Sequence, residues 1–267
     1  MDVYDFHQGT RALLISIPHA GTYVPDDIAS RFTATGGRLP DTDWFVDKLY
    51  GFAQDLGVSI ITARYSRYVV DLNRSPDSSS LYPGTQTSPV CALATFDGQP
   101  IYQEGAQPGA TEIDERITRY WRPYHARIAT ELGAMRQRHG AALLWDAHSI
   151  ASRIPALFDG VLPEFNFGTR EDASCPRGIA ARLLGVVNDH GRFSSILNGR
   201  FKGGYITQQY GRPAEKICAM QLELAQRTYM DEASEPTWNA QRAQPVAELI
   251  EQLLDRYIDT LAAHDSQ

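Results

Sequence analysis

The sequence is poor in cysteine and has no long apolar run, and each absence excludes a class of protein. Its three cysteines, Cys91, Cys175 and Cys218, are odd in number and far apart. A disulfide-stapled secreted domain is therefore not expected, and a reducing cytoplasm is favoured. Without a Cys-x-x-Cys pair, a zinc site built on thiolates is not expected either. No apolar run approaches the roughly 18 residues of a membrane span, and the first ten residues lack the features of a signal peptide.

The chain also lacks an excess of basic residues. It has 25 Lys and Arg against 32 Asp and Glu, for a formal net charge of −7. Nucleic acid and anionic membranes are recognised by clustered cations, so neither is an expected partner. A small anionic substrate remains compatible with this balance, because one local Arg can bind a carboxylate whatever the total charge. No pattern in the sequence indicates an oligomeric state.

The order of apolar patterns predicts an α/β fold. Neither a repeat nor a low-complexity linker divides the 267 residues, so one domain spanning residues 1–267 is predicted. The pattern predicts strands at 12–17, 58–63, 68–72, 142–145, 193–197 and 216–224, and helices at 43–56, 111–139, 174–187 and 246–262. This alternation predicts a mainly parallel sheet flanked by helices on both faces. Residues 75–109, rich in Pro, Gly and Ser, are predicted to form a loop that lines a site.

Two histidines follow predicted strands. His19 comes after the run LLISI, and His148 comes after LLW in the segment LLWDAHSI. In parallel sheets, ligands bind beyond the carboxyl ends of the strands. A lone His is more often a hydrogen-bonded core residue, but two at matched positions suit a catalytic zinc, which takes three protein ligands and one water.

The third metal ligand has three candidates in the segment LPDTDWFVDKLYGF. Asp43 ranks first, at the start of the predicted helix, Asp41 second and Asp47 third. The alternative is ordinary helix capping, since Asp at a helix start accepts hydrogen bonds from free backbone N–H groups.

Two further segments supply candidates for substrate binding and proton transfer. In RYVVDLNRSP, Asn73 and Arg74 end a predicted strand, and Arg suits a bidentate grip on a carboxylate. Arg67 could assist or could lie on a solvated face. Glu223 is a lone carboxylate in the apolar strand of ICAMQLELAQRTYM. It is either the general base of a metal-assisted hydrolysis or an edge residue that faces solvent.

These segments together resemble the N-formylglutamate amidohydrolase family, which in turn is similar to the zinc carboxypeptidases. The resemblance implies a carboxypeptidase-like fold and hydrolysis of N-formyl-L-glutamate to formate and L-glutamate, a step of histidine degradation. It further implies one Zn²⁺ bound by two histidines and a carboxylate, two residues that bind a substrate carboxylate, and a proton shuttle. Carried onto this chain, these are His19, Asp43 and His148; Asn73 and Arg74; and Glu223.

Two alternatives stay open at this stage. Residues 207–211, TQQYG, hold no basic residue for a second substrate carboxylate, so a hydrolase of another N-acyl amino acid is the first alternative. A non-catalytic carboxylate-binding protein is the second. Glu223 discriminates the two classes, because a carboxylate beside an anionic ligand repels it and serves no purpose in a binder.

Overall fold

A mixed seven-stranded sheet forms the centre of the fold. The computed structural model describes residues 2–79, 88–233 and 235–264. The strand order is β1-β3-β2-β4-β7-β5-β6, with β3, β2, β4 and β7 mutually parallel and with β1 and β5 antiparallel to β3 and β7. The strands are β1 Tyr4–His7, β2 Leu13–Ile17, β3 Ser59–Ala63, β4 Ala142–Ile150, β5 Phe165–Gly168, β6 Ser195–Leu197 and β7 Ile217–Ala225; β8 Met230–Asp231 and β9 Thr237–Trp238 form a separate ribbon.

Helices pack on both faces of this sheet, as the sequence predicts. Side chains of β2 alternate between two apolar cores, with Ile15 in one and Leu14 in the other. Helices α6 and α8 cover the first core and α5 covers the second. The α-helices are α1 Asp26–Ala29, α2 Ala34–Gly37, α3 Val46–Leu49, α4 Ala110–Arg116, α5 Arg122–His139, α6 Arg177–His190, α7 Tyr205–Tyr210 and α8 Ala240–His264; 3-10 turns cover Gly51–Gln54, Pro213–Glu215 and Gln226–Thr228. None of the described helices is both long and apolar enough to cross a bilayer.

The helix predicted for residues 111–139 is interrupted immediately before Pro123. A π-helical turn, Ile117–Trp121, joins α4 to α5, and the N–H of Arg122 donates to the carbonyl of Ile117. Pro123 then occupies the first turn of α5, which is the part of a helix that accommodates proline best. The predicted helix is therefore two α-helices joined by one π-helical turn.

Three predicted elements differ from the structure. Residues 68–72 are a succession of turns and not a strand, with Val69 N donating to Ser66 O at 2.9 Å. The apolar side chains in this segment are buried. The apolar sequence pattern therefore indicates that the segment is buried, and not that it pairs with a neighbouring strand. The predicted helix 43–56 shortens to α3 and a 3-10 turn, because Phe45 adopts φ 62°, outside the helical region. Strand β4 continues to Ile150, so His148 lies within the strand and not beyond its end.

Candidate metal and substrate site

A cavity of about 530 Å³ lies at the carboxyl ends of the parallel strands. Its size is within the range of small-molecule sites, and its position is the one that parallel sheets use for ligands. Residues 92–96 and 200–204 contribute to its walls, so part of the predicted site-lining loop does line it, while residues 80–87 lie outside the described chain. Seven of the residues nominated from the sequence, including the first-ranked aspartate, line this cavity: His19, Asp43, Arg67, Asn73, Arg74, His148 and Glu223.

His19, Asp43 and His148 form a buried cluster that could hold a metal ion. Their potential ligand atoms lie within 4.8 Å of one another. Asp43 Oδ2 is 3.0 Å from His148 Nδ1 and 3.8 Å from His19 Nδ1. Tetrahedral zinc ligands at about 2.0–2.1 Å from the ion are about 3.3 Å apart, so these spacings bracket the requirement. His19 Nδ1 is buried without a hydrogen-bond partner among the described residues, as expected of an atom reserved for a cation.

Each histidine of the cluster is held by a second carboxylate through its other ring nitrogen. His19 Nε2 is 2.8 Å from Asp71 Oδ1, and His148 Nε2 is 2.9 Å from Asp146 Oδ2. Such contacts fix the tautomer that presents Nδ1 to a metal. Sequence reasoning missed both carboxylates. The available signal was their place in the quoted segments, Asp71 in VDLNR and Asp146 two residues before His148.

The electrostatic environment differs between the two histidines. Burial lowers the pKa of His19, and the positive charge of Arg67 lowers it further. Burial also opposes the charge of His148, but the carboxylates of Asp146 and Asp43 raise the pKa of His148 well above its usual range. The cavity therefore concentrates negative charge around His148, which is an environment that attracts a divalent cation.

The structure separates the three aspartates that the sequence left as alternatives. Asp43 points into the cluster, where its backbone N–H donates to His19 O at 3.1 Å and its Oδ2 accepts from Ser149 N at 3.1 Å. Asp41 lines the cavity but accepts hydrogen bonds from Tyr68 and from the backbone of residue 96, so its Oδ2 is occupied. Asp47 is exposed on α3. The first-ranked candidate is thus the one that meets both histidines.

Arg67 is buried, so the alternative of a solvated face is wrong. Its guanidinium donates to Asp71 Oδ2 at 2.8 Å and lies 3.5 Å from Asp43 Oδ1. Asp71 also contacts His19, so Arg67 balances two carboxylates that surround the cluster. Burying these charges is tolerable because each has a partner of the opposite sign.

Asn73 and Arg74 lie beside the cluster and differ in how far their side chains are hydrogen-bonded within the protein. The amide of Asn73 is used by the protein: Nδ2 donates to Asp146 at 3.3 Å, and Oδ1 accepts from the N–H of Ile206 at 2.8 Å. Arg74 donates to Ser88 Oγ at 3.1 Å and to the carbonyl of Asn73. No carboxylate among the described residues pairs with Arg74, so its guanidinium is available to an anion in the cavity.

Glu223 lies on the floor of the cavity, opposite His148 in the adjacent strand. The two residues are register partners in the β4–β7 pair, and Gln221 donates to Glu223 Oε2 at 3.1 Å. Burial, countered by His148 and reinforced by Asp43, raises the pKa of Glu223 to about 8. Because β7 lies between β4 and β5, the alternative of an edge residue facing solvent is wrong.

Gly204 makes a close approach that a larger residue would disturb. A Cβ at this position would overlap the side chain of Asn73. We expect Gly204→Ala to lower activity by up to about 100-fold, since small displacements of aligned groups have effects of that size. The control is Gly185→Ala on α6, where a Cβ meets nothing within 4 Å. Equal activity of the two variants in a steady-state assay would contradict the importance of this approach.

Comparisons with known proteins agree on one family. A family model described as N-formylglutamate amidohydrolase matches residues 11–230. An N-formylglutamate deformylase of Pseudomonas putida is 49% identical over 94% of both chains, and one of Pseudomonas aeruginosa is 46% identical over 95% of both. The crystal structure of N-formylglutamate amidohydrolase from Ralstonia eutropha JMP134 shares the fold, with a TM-score of 0.80, 24% identity and 98% coverage of each chain. By sequence match along most of its length, this chain belongs to the N-formylglutamate amidohydrolase family.

Proposed function

We propose that this protein hydrolyses N-formyl-L-glutamate to formate and L-glutamate, with one Zn²⁺ held by His19, Asp43 and His148. The observation that carries the proposal is the shared orientation of the two histidines. Both turn Nδ1 toward Asp43 and brace Nε2 on a second carboxylate, on the floor of a cavity that also contains Glu223 and Arg74. The names of two relatives, both called N-formylglutamate deformylase, support the choice of substrate.

The chemistry divides between the cation and the side chains around it. A divalent cation at this site would supply Lewis acidity, which polarises a carbonyl group and acidifies water. Glu223 would take a proton from the attacking water as the bond from oxygen to the formyl carbon forms. It would then give that proton to the glutamate nitrogen as the C–N bond breaks, because an amine leaves poorly unless it is protonated.

Substrate orientation falls to the basic residues. Arg74 would bind the α-carboxylate of the substrate, because it lines the cavity and has no carboxylate partner among the described residues. Asn73 would mainly keep neighbouring residues of the site in position, since its amide already contacts Asp146 and Ile206. Arg67 donates to Asp71 and lies near Asp43. It would keep these two carboxylates in place beside the metal ligands and the formyl group of the substrate.

Arg74→Lys is expected to lose much of the activity, because a point charge cannot replace a planar guanidinium fork. If the contact to the carboxylate is equally strong in the ground state and the transition state, the loss appears as a higher KM with kcat little changed. The measurement is a steady-state comparison with wild type. Unchanged KM and kcat in Arg74→Ala would exclude this residue from substrate binding.

The proposal as a whole is tested by formate release measured beside metal content. Purified protein should contain about one Zn²⁺ per chain and release formate from N-formyl-L-glutamate. Faster turnover of N-formyl-L-glutamine or another N-acyl amino acid would favour the alternative substrate class. Binding of L-glutamate without formate release, by metal-loaded protein, would favour the non-catalytic binder.

The cellular setting follows from the same proposal. The reaction would complete one route of histidine degradation, and the three unpaired thiols, Cys91, Cys175 and Cys218, suit the cytoplasm.

A further inference from the structure

One helical stretch donates three side-chain hydrogen bonds to the segment that carries Asn73 and Arg74. Arg116 Nη1 donates to Val69 O at 3.1 Å. His125 Nε2 lies 2.8 Å from Leu72 O, and Trp121 Nε1 donates to Arg74 O at 3.1 Å. The segment from residue 68 to residue 74 is a succession of turns, so side chains supply contacts that a strand would obtain from its neighbours.

The π-helical turn explains how these three donors reach one segment. Their positions, 116, 121 and 125, are separated by five residues and then by four. In an uninterrupted α-helix, residues five apart point about 140° away from each other, whereas residues four apart share a face. The π-turn Ile117–Trp121 inserts one residue into the helical repeat and so brings Trp121 onto the side that Arg116 and His125 occupy.

The rings of the two aromatic donors stack on each other. The ring centroids of Trp121 and His125 are 3.7 Å apart with an interplanar angle of 21°, and Tyr205 and Tyr210 of α7 pack beside His125. Burial lowers the pKa of His125 to about 4, so its ring is neutral. Because the Leu72 carbonyl can only accept, the ring proton lies on Nε2, and Nδ1 can accept from the Tyr210 hydroxyl at 2.9 Å.

We infer that Trp121 and His125 are positioning residues for substrate binding, which fix the turn at residues 72–74 and thereby the direction of Arg74. This inference rests on the proposed role of Arg74. Its guanidinium has few contacts of its own within the described chain, with Ser88 Oγ and with the carbonyl of Asn73. Its aim therefore depends on the backbone, and the two aromatic donors bind the carbonyls at both ends of that turn.

The first test compares Trp121→Phe with Tyr120→Phe. Trp121→Phe keeps an aromatic ring against His125 and removes the N–H that binds Arg74 O, together with the rest of the five-membered ring of the indole. Loss of one such hydrogen bond should raise KM for N-formyl-L-glutamate about 3- to 10-fold, with a smaller change in kcat and unchanged metal content. Amide hydrogen exchange in a peptide covering residues 68–79 should become faster. Tyr120, in the same π-turn, makes none of the three contacts, so Tyr120→Phe should match wild type in both measurements.

A second pair of variants tests His125 independently. In His125→Gln the side-chain amide nitrogen can occupy the place of Nε2, whereas in His125→Asn it falls short of Leu72 O. We expect KM and hydrogen exchange near wild type for the Gln variant, and both raised for the Asn variant. The inference would be overturned if Trp121→Phe and His125→Asn both fold, keep their metal and match wild type in KM and in hydrogen exchange. If wild-type protein fails to hydrolyse N-formyl-L-glutamate, the proposed function fails, while the exchange measurement still tests the positioning contacts.

Discussion

Glu223→Gln is expected to fold, keep its metal and lose about 10²- to 10⁴-fold in kcat, the usual contribution of a positioned acid–base group. Gln preserves the shape of the side chain and can still accept from Gln221, but it cannot take a proton from water. The measurement is kcat of the zinc-loaded variant against that of wild type. A ratio near one would remove Glu223 from the mechanism.

The matched control for this variant is Glu131→Gln. Glu131 is also a buried glutamate, but it lies on α5, where Arg127 and Arg138 contact its carboxylate. Loss of its charge should lower the midpoint of thermal unfolding, because two arginines lose a partner. Turnover by the folded fraction should stay close to wild type. Equal losses of kcat in the two variants would indicate a general effect of removing a buried carboxylate.

His19→Ala and His148→Ala are each expected to lower zinc affinity at least about tenfold and to remove nearly all activity. Even losses outside the direct ligand set reach that size, and each substitution here also leaves a carboxylate, Asp71 or Asp146, without its imidazole partner. The measurement is zinc per chain after dialysis against increasing chelator. Stoichiometric zinc retained in both variants under conditions that keep it in wild type would disprove the assignment.

The aspartates provide an internal comparison for the same site. Asp43→Asn should weaken zinc binding, because it removes the negative charge that faces both histidines. Asp47→Asn should bind zinc as wild type does, since Asp47 is exposed on α3. If only the Asp47 variant binds zinc more weakly, Asp47 and not Asp43 is the carboxylate ligand.

The apolar pattern was a good guide to buried regular elements and a poor guide to buried irregular ones. Strands β2, β3 and β7 lie within one or two residues of their predicted ranges, because each is an apolar run with sheet neighbours on both sides. Residues 68–72 have the same composition and burial but form turns. Strands β1 and β5, only four residues each, were missed, since so short a run is hard to distinguish from a loop.

Strand β4 is longer than the sequence pattern predicts, because polar residues of the candidate site lie within it. The sequence prediction stopped at Trp145, where polar residues begin, yet β4 continues through Asp146 and His148 to Ile150. A polar residue inside a buried strand is costly unless it is paired, and here the two side chains pair with each other. The rule that buried strands are apolar therefore fails at the residues that carry the proposed chemistry.

By itself the sequence determined the α/β class, the family, and the residue types of the site, because these depend on periodicity and on short motifs. Only the tertiary structure distinguished Asp43 from Asp41 and Asp47, which share one short segment and differ in where the chain turns them. It alone revealed that Asp71 and Asp146 brace the two histidines, and that Trp121 and His125 bind the turn at Arg74. The physical reason is that most of these contacts join residues about 50 positions apart, and local sequence patterns carry no information about which distant residues meet. The contact of Asp146 with His148 lies within a strand that the pattern predicts to be shorter.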